Sequence, residues 1–135
     1  MIVVDTNIIS YFYLTSEFSP IADQIFYKDP VWAAPLLWRS EFRNVLSFYL
    51  KKKIIELGDA VEIMNLAEEL LKENEYEINS FQVLKLSNQS GCSAYDCEFV
   101  TLAKDLNTTL VTQDKQVLKN FPEIAQDMAH FTGTA

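Results

Sequence analysis

Histidine and cysteine are scarce in this sequence. Its 135 residues include one histidine, His130, and two cysteines, Cys92 and Cys97. A single histidine excludes Ser-His-Asp and Cys-His catalysis as plausible schemes, because it would have to serve as the only base. The cysteine spacing matches neither the Cys-x-x-Cys redox motif nor a zinc ligand set, so we predict free thiols that are buried or half-buried.

Long apolar runs are also missing. No stretch approaches the roughly 20 residues that a helix needs to cross a bilayer. Pro35 interrupts the most hydrophobic window, residues 31–38. The sequence begins MIVVD and lacks the charged n-region and the apolar h-region of a secretory signal. We therefore expect no membrane span and a cytoplasmic protein.

Positive charge is the third shortage. Eleven Lys and Arg face 19 Asp and Glu, which gives a formal net charge of -8 and a pI near 4.5. This balance argues against a protein whose whole surface attracts nucleic acid. The run Lys51-Lys52-Lys53 could track an RNA backbone, but such a run at a helix end is more often a solvated terminus that suits the helix dipole.

The residues that are abundant predict a folded α/β protein. With 49% hydrophobic and 22% charged residues, the chain has the composition of one compact domain, residues 1–135, with a sizeable core. Short β-branched runs alternate with longer segments of helical period. This alternation is typical of a central parallel sheet covered by helices on both faces.

The predicted elements follow from local signals. Pro35 fits the first turn of a long helix, and the Gly58-Asp59 step begins another whose apolar face includes Val61. The polar run 87–91 reads as a loop. We predict strands at 2–5, 31–34 and 109–112, an extended piece within 76–81, and helices at 6–13, from 19, 35–52, 58–71, around 83–86 and 94–106.

Four acidic residues occupy positions that this fold would bring together. Asp5 ends the first strand, Asp114 follows the strand 109–112, and Glu41 and Asp96 lie near the starts of helices. Ligands in open parallel sheets bind outside the carboxyl ends of the strands. Two unit charges about 4 Å apart repel by about 4 kcal/mol at an effective dielectric of about 20, so gathered carboxylates imply a bound cation. We predict a divalent metal.

Each acid also has a purely structural explanation. Asp5 and Asp114 can cap the helices that follow them, and Asp96 can complete a capping box with Ser93. Glu41 can be a surface residue. Taken singly, each acid favours that structural explanation.

Glu41 is the least ordinary of the four. Trp38 and Val45 share its helix face, which places a carboxylate beside the buried stripe. The only two arginines, Arg39 and Arg43, project elsewhere and lie together on one face. There they could hold a phosphate or a partner protein.

In their order, these motifs resemble those of the PIN domains. The matching segments are Val4-Asp5-Thr6-Asn7, Glu41 with Asn44, Tyr95-Asp96-Cys97 and Thr112-Gln113-Asp114. They span nearly the whole chain, and its short length is similar to that of the VapC toxins of bacterial and archaeal toxin-antitoxin pairs. The resemblance implies a PIN-like three-layer fold with a central parallel sheet flanked by helices.

The resemblance also implies a metal-dependent ribonuclease. Asp5, Glu41, Asp96 and Asp114 correspond to the acidic cluster of the family, with Asp5 and Asp96 as the direct ligands of Mg²⁺ or Mn²⁺. Such an ion polarises a phosphoryl oxygen and acidifies water, so no histidine base is required. The resemblance leaves open whether the site holds one metal ion or two.

Supporting roles fall to neighbouring polar residues. Thr112 matches a small hydroxyl that orders the site, and Thr6 belongs to the first motif. Asn7 either orients Asp5 or a water, or simply caps the first helical turn. Glu98 lies two positions beyond Asp96 and is expected to face solvent.

The resemblance implies three partners: an RNA substrate, a small VapB-like antitoxin whose tail enters the acidic groove, and a second copy of the chain in a homodimer. The excess of acidic residues favours a narrow choice of RNA substrate.

Two alternative functions are a stand-alone RNA-processing nuclease and a catalytically inactive PIN-like binding module. A haloacid-dehalogenase-like phosphatase fits poorly, because it needs a second aspartate where Asn7 stands.

Overall fold

A parallel five-stranded sheet forms the centre of the computed structural model, which describes all 135 residues. The strand order is β3-β2-β1-β4-β5, so the first strand of the chain is the middle strand of the sheet. The strands are β1 (Ile2–Val4), β2 (Trp32–Pro35), β3 (Glu75–Tyr76), β4 (Leu110–Val111) and β5 (Ala125–Gln126).

Eight helices flank the sheet. They are α1 (Thr6–Tyr13), α2 (Ser19–Lys28), α3 (Leu37–Lys51), α4 (Leu57–Leu71), α5 (Ser80–Ser90), α6 (Ala94–Asp105), α7 (Lys115–Asn120) and α8 (Met128–Thr132). This confirms the predicted α/β fold with a central parallel sheet. None of these helices combines the length and the apolarity that a membrane crossing requires.

The sheet is organised around β1 because all three of its residues are buried apolar side chains. Val3 pairs with Ala33 of β2 on one side and with Leu110 of β4 on the other. Strands buried on both faces read as continuous apolar runs, as Ile2-Val3-Val4 does. The parallel pairing directs the carboxyl ends of β1, β2 and β4 to the same edge of the sheet.

The prediction that Pro35 lies in the first turn of the long helix is wrong. Pro35 is the last residue of β2, paired with Tyr76, and α3 begins only at Leu37. The amides of Ala34 and Leu36 donate to Asn74 and Tyr76 carbonyls at 3.1 and 3.0 Å. The missing N–H of Pro35 falls between these two bonds, so the proline removes no hydrogen bond to β3.

The predicted loop at 87–91 is also wrong, because α5 continues to Ser90. The hydroxyl of Ser90 donates to the Leu86 carbonyl at 2.7 Å, and that of Ser87 donates to the Cys92 carbonyl at 2.7 Å. These bonds satisfy the serines within the helix. The chain leaves the helix at Gly91, whose φ of 75° suits a residue without a Cβ.

The helix predicted from Gly58 begins at Leu57, and most of its predicted apolar face is buried, including Met64, Ala67 and Leu71. Ala60 is buried, whereas Val61 is 52% exposed. Cys92 and Cys97 are free and buried, as predicted.

Candidate active site

A cavity of about 290 Å³ opens at the carboxyl ends of β1 and β4; we call it the acidic cavity. No lysine, arginine or histidine is among the twelve residues that line it. Those residues are Asp5, Thr6, Asn7, Glu41, Asn44, Val45, Asp96, Phe99, Leu110, Thr112, Asp114 and Val117. The structure thus brings all four predicted acids into one space.

Asp5 connects β1 to α1 and is held on both carboxylate oxygens. Its Oδ1 accepts the Ile8 amide at 3.1 Å, which caps α1, and its Oδ2 accepts the Thr112 hydroxyl. Burial raises the pKa of Asp5 to about 6, against the lowering effect of these two bonds. The capping role and the site position are therefore combined in one side chain.

Glu41 reaches the cavity from the second turn of α3. The Thr6 hydroxyl donates to its Oε1 at 2.7 Å, and Thr6 is itself only 7% exposed. Burial raises the pKa of Glu41, as does the charge of Asp96, while the Thr6 bond opposes the rise. No cation pairs with Glu41, so the structural explanation by an arginine partner does not apply.

Arg39 is committed elsewhere, which corrects the idea that it is available for a phosphate or a partner. Its guanidinium donates to both oxygens of Glu75 at 2.6 and 2.7 Å and forms an ion pair with Glu68 at 3.2 Å. The Trp38 indole also donates to Glu75, at 2.7 Å. Arg39 therefore joins α3 to β3 and α4.

Asp96 and Asp114 enter from the other half of the chain. The Asp96 amide donates to the Ser93 hydroxyl at 3.0 Å, which caps α6. Asp114 caps α7 by accepting the Val117 amide at 2.9 Å, and its own amide donates to Thr112 at 3.1 Å. Burial raises the pKa of Asp96, and so does the charge of Asp114.

The four carboxylates interact in a closed ring. Glu41 and Asp114 each raise the pKa of Asp5, Asp96 raises that of Glu41, and Asp114 raises that of Asp96. Like charges held together in this way favour protonation unless a cation joins them. The oxygen donors suit a hard divalent ion such as Mg²⁺ or Mn²⁺.

The donor arrangement is open. No three of the acidic, histidine or cysteine side chains are close enough together to hold one metal ion. Mg²⁺ commonly keeps several waters and uses only one or two carboxylates together with substrate phosphates. The residues of the acidic cavity therefore fit a hydrated ion that one or two of them contact directly.

The supporting residues divide into two groups. Thr6 and Thr112 are buried and bond directly to Glu41 and Asp5. Asn7 lines the cavity and is exposed, and its side chain does not cap α1, because Asp5 does. The alternative prediction, that Asn7 simply caps the first turn of α1, is therefore wrong.

The prediction that the Glu98 side chain faces solvent is wrong. Glu98 is half-buried, and its pKa is raised by burial and by the charge of Glu41. The rotation between positions 96 and 98 of a helix does separate their side chains, but α3 brings Glu41 to the side that Glu98 faces. A helical wheel of α6 alone carries no signal for this neighbour.

Comparison with known families identifies the chain. The family model of the PIN domain matches residues 2–124, and the chain belongs to this family. This removes the phosphatase alternative. PIN domains are generally nucleases, and those nucleases generally use divalent metals. A search among curated proteins finds no match.

Solved structures share the fold at low sequence identity. The chain is similar to PAE2754 from Pyrobaculum aerophilum, with a TM-score of 0.76 and 18% identity over 98% of this chain and 86% of that one. A toxin-antitoxin complex from Klebsiella pneumoniae gives 0.70 and 17%, covering 95% and 98%. FitAcB from Neisseria gonorrhoeae gives 0.73 and 14%, covering 96% and 99%.

Proposed function

We propose that this PIN-domain protein is an endoribonuclease that requires Mg²⁺ or Mn²⁺ and serves as the toxin of a VapBC-type toxin-antitoxin pair. The observation that carries the proposal is the acidic cavity, in which four carboxylates meet without a basic residue. A structural role for each acid separately does not account for their convergence, since unpaired charges in one space oppose folding.

The residues divide the work at the site. Asp5 and Asp96 hold the ion, and Glu41 and Asp114 complete the negative field around its waters. Thr112 and Thr6 fix the carboxylates of Asp5 and Glu41 by hydrogen bonds. The bound ion supplies Lewis-acid chemistry, polarising a phosphoryl oxygen of the RNA and acidifying water. The exposed Asn7 amide is available to the substrate or to ordered water.

The proposed partners are an RNA, a VapB-like antitoxin and a second copy of the chain, in the cytoplasm. The fold likeness to a toxin-antitoxin complex from Klebsiella pneumoniae supports the antitoxin. A short reading frame directly upstream of the gene would support it further. Its absence would favour the second candidate, a stand-alone RNA-processing nuclease with the same cavity chemistry.

The test is incubation of the purified protein with total RNA in Mg²⁺ or Mn²⁺, with and without chelator. Discrete cleavage products that need the metal are expected. Asp96→Asn should abolish them, because it removes a ligand charge while leaving the Ser93 cap of α6 in place.

Asp105→Asn is the matched control, since it makes the same change at an exposed position of the same helix. It should cleave like the wild type. Calorimetric metal binding without any cleavage would favour an inactive PIN-like module. Cleavage that survives both chelator and Asp96→Asn would contradict the proposed site.

A further inference from the structure

A second cavity is lined by Glu98 of α6, two positions along the helix from Asp96 of the acidic cavity. It has a volume of about 370 Å³ and is lined by Ile78, Ser80, Val83, Leu84 and Glu98; we call it the Glu98 cavity. Pockets for small ligands occupy roughly 300–1,000 Å³. Ser80 and Leu84 are exposed, so the cavity opens to the surface between α5 and α6.

Glu98 is the unexplained member of this lining. It is half-buried and makes no salt bridge, and no side chain or amide donates a hydrogen bond to its carboxylate. Burial raises the pKa of Glu98, and so does the like charge of Glu41. The carboxylate of Glu98 is thus left to solvent, and a ligand that brings N–H donors can replace that water.

The other lining residues decide what kind of ligand fits. Glu98 is the only carboxylate, whereas divalent ions need several oxygen ligands, so the Glu98 cavity is not a metal site. Ile78, Val83 and Leu84 supply apolar walls. Apolar walls with one acceptor fit a flat ring that carries N–H donors at its edge.

We propose that the Glu98 cavity binds the base of an RNA nucleotide next to the cleaved bond, with guanine preferred. Single-stranded RNA is read through bases that are splayed out and hydrogen-bonded at their edges. Guanine presents two adjacent donors, N1–H and N2–H, to the two oxygens of one carboxylate. Uracil presents one donor between two acceptors, which a carboxylate disfavours.

The position of Glu98 connects the two cavities. It lies on α6 between Asp96 and Phe99, which both line the acidic cavity. Positions 96 and 98 of a helix are separated by only about 3 Å along its axis, so we expect an RNA strand whose phosphate binds at the acidic cavity to pass Glu98 within about one nucleotide. The inference rests on the proposed ribonuclease function and deepens it by naming a specificity residue.

The first test measures base binding without catalysis. GMP and UMP carry the same phosphate, and each is titrated in chelator while the methyl NMR signals of Ile78, Val83 and Leu84 are followed. GMP is expected to shift these signals more than UMP does, and Glu98→Gln to remove the difference. Glu62→Gln, the same change on the exposed face of α4, should leave it intact.

The second test measures cleavage of short single-stranded RNAs that differ at one nucleotide beside the cleaved bond. Guanine should be preferred over uracil at least about fivefold in kcat/KM, and Glu98→Gln should remove most of this preference. The inference is overturned if the wild type cleaves without a base preference, or if Glu98→Gln leaves its preference unchanged. Either result leaves the ribonuclease function standing.

The outcomes separate the inference from the function it rests on. Absence of cleavage by the wild type, with GMP shifts intact, rejects the ribonuclease and keeps base binding. Absence of GMP shifts in a folded protein overturns the base site. Shifts produced by acetylarginine amide and not by GMP also overturn it, in favour of an arginine from a protein partner.

Discussion

Two threonine hydroxyls fix the direction of two acids in the cavity. Thr6 bonds to Glu41 and Thr112 bonds to Asp5, and both threonines are buried. Thr112 directly follows β4 and its amide donates to the Gln126 carbonyl at 3.0 Å, while Thr6 is the first residue of α1. The orientation of these carboxylates is therefore set before any ion arrives.

Thr6→Val should weaken Mn²⁺ binding about tenfold, because it keeps the shape of the side chain and removes the hydroxyl that holds Glu41. Titration calorimetry measures this. Thr6→Ser, which keeps the hydroxyl, should restore most of the affinity. Equal affinities of the two variants would show that the Thr6–Glu41 bond does not matter for the ion.

Asp5→Asn should stabilise the metal-free protein at pH 7.5 by roughly 1–3 kcal/mol while abolishing stabilisation by Mg²⁺. The pKa of Asp5 is raised to about 6, so the folded state holds a proton that the unfolded state releases near its ordinary value of 3.8. Wild-type stability contributed by this group is thus present at low pH and lost as pH rises through about 6.

Urea unfolding in chelator, from pH 4 to pH 8, measures the effect of Asp5→Asn. The difference between wild type and variant should be small at pH 4, where folded Asp5 is protonated, should grow as pH rises from about 3.8 to about 6, and should level off above that. A variant that is less stable than the wild type at pH 7.5 would contradict the expected strain in the ring of acids.

At this scale the sequence predicted the residues with local signals and missed those that depend on packing. Asp5 and Asp114 follow strand ends, which the apolar runs mark. Arg39, by contrast, is taken up by Glu75, 36 residues away along the chain. The position of Glu98 opposite Glu41 likewise follows from how two helices pack.

At the scale of elements, the start of α3 is tied to β3 by the Glu75 carboxylate. Glu75 accepts bonds from both Trp38 and Arg39 at the first turn of the helix, two residues before Glu41. The Arg39 guanidinium lowers the pKa of Glu75. The element that presents Glu41 is thereby anchored to the sheet edge.

Glu75→Gln should cost roughly 1–3 kcal/mol of unfolding free energy at pH 7, because it weakens three hydrogen bonds that involve a charge. Since the pKa of Glu75 is lowered, its contribution is present above about 4.5 and is lost as pH falls through the folded value. The difference from wild type should therefore shrink in acid.

Thermal or urea unfolding at pH 7 and pH 3 measures this contribution. Glu69→Gln is the control, because Glu69 is exposed on α4 and its side chain makes no hydrogen bond or ion pair. A loss that is equal at both pH values would mean that packing, and not the charge on Glu75, stabilises the start of α3.

Element types were largely predictable, but their ends were not. Apolar runs and capping residues located β1, α1 and α6 closely. The failures arise where hydrogen bonds, some local and some tertiary, override the preference of a residue for an element. Pro35 lies where no amide is required, and Ser87 and Ser90 are satisfied by carbonyls close to them.

At the scale of the whole molecule, the net charge of -8 limits how the proposed RNA substrate can bind. One of the two arginines is already paired with Glu75. Few basic side chains are therefore available for contacts with phosphates. A plot of log kcat/KM against log salt concentration should have a slope no steeper than about -2.

Cleavage of a short RNA at several KCl concentrations and fixed Mn²⁺ measures this slope. A slope steeper than about -5 would imply a basic surface with seven or so phosphate contacts, for which the acidic balance gives no support. Lys51→Gln, at the first lysine of the basic run, tests whether that run provides any of them.

Because of the strand order, both halves of the chain contribute acids to the acidic cavity. Residues up to Gly91 contribute Asp5 and Glu41, those after it contribute Asp96 and Asp114, and the pairing of β1 with β4 and the packing of α6 bring the two pairs together. We therefore expect each fragment of a chain cut at Gly91 to be inactive alone, so that any recovered activity would report the association of the two fragments.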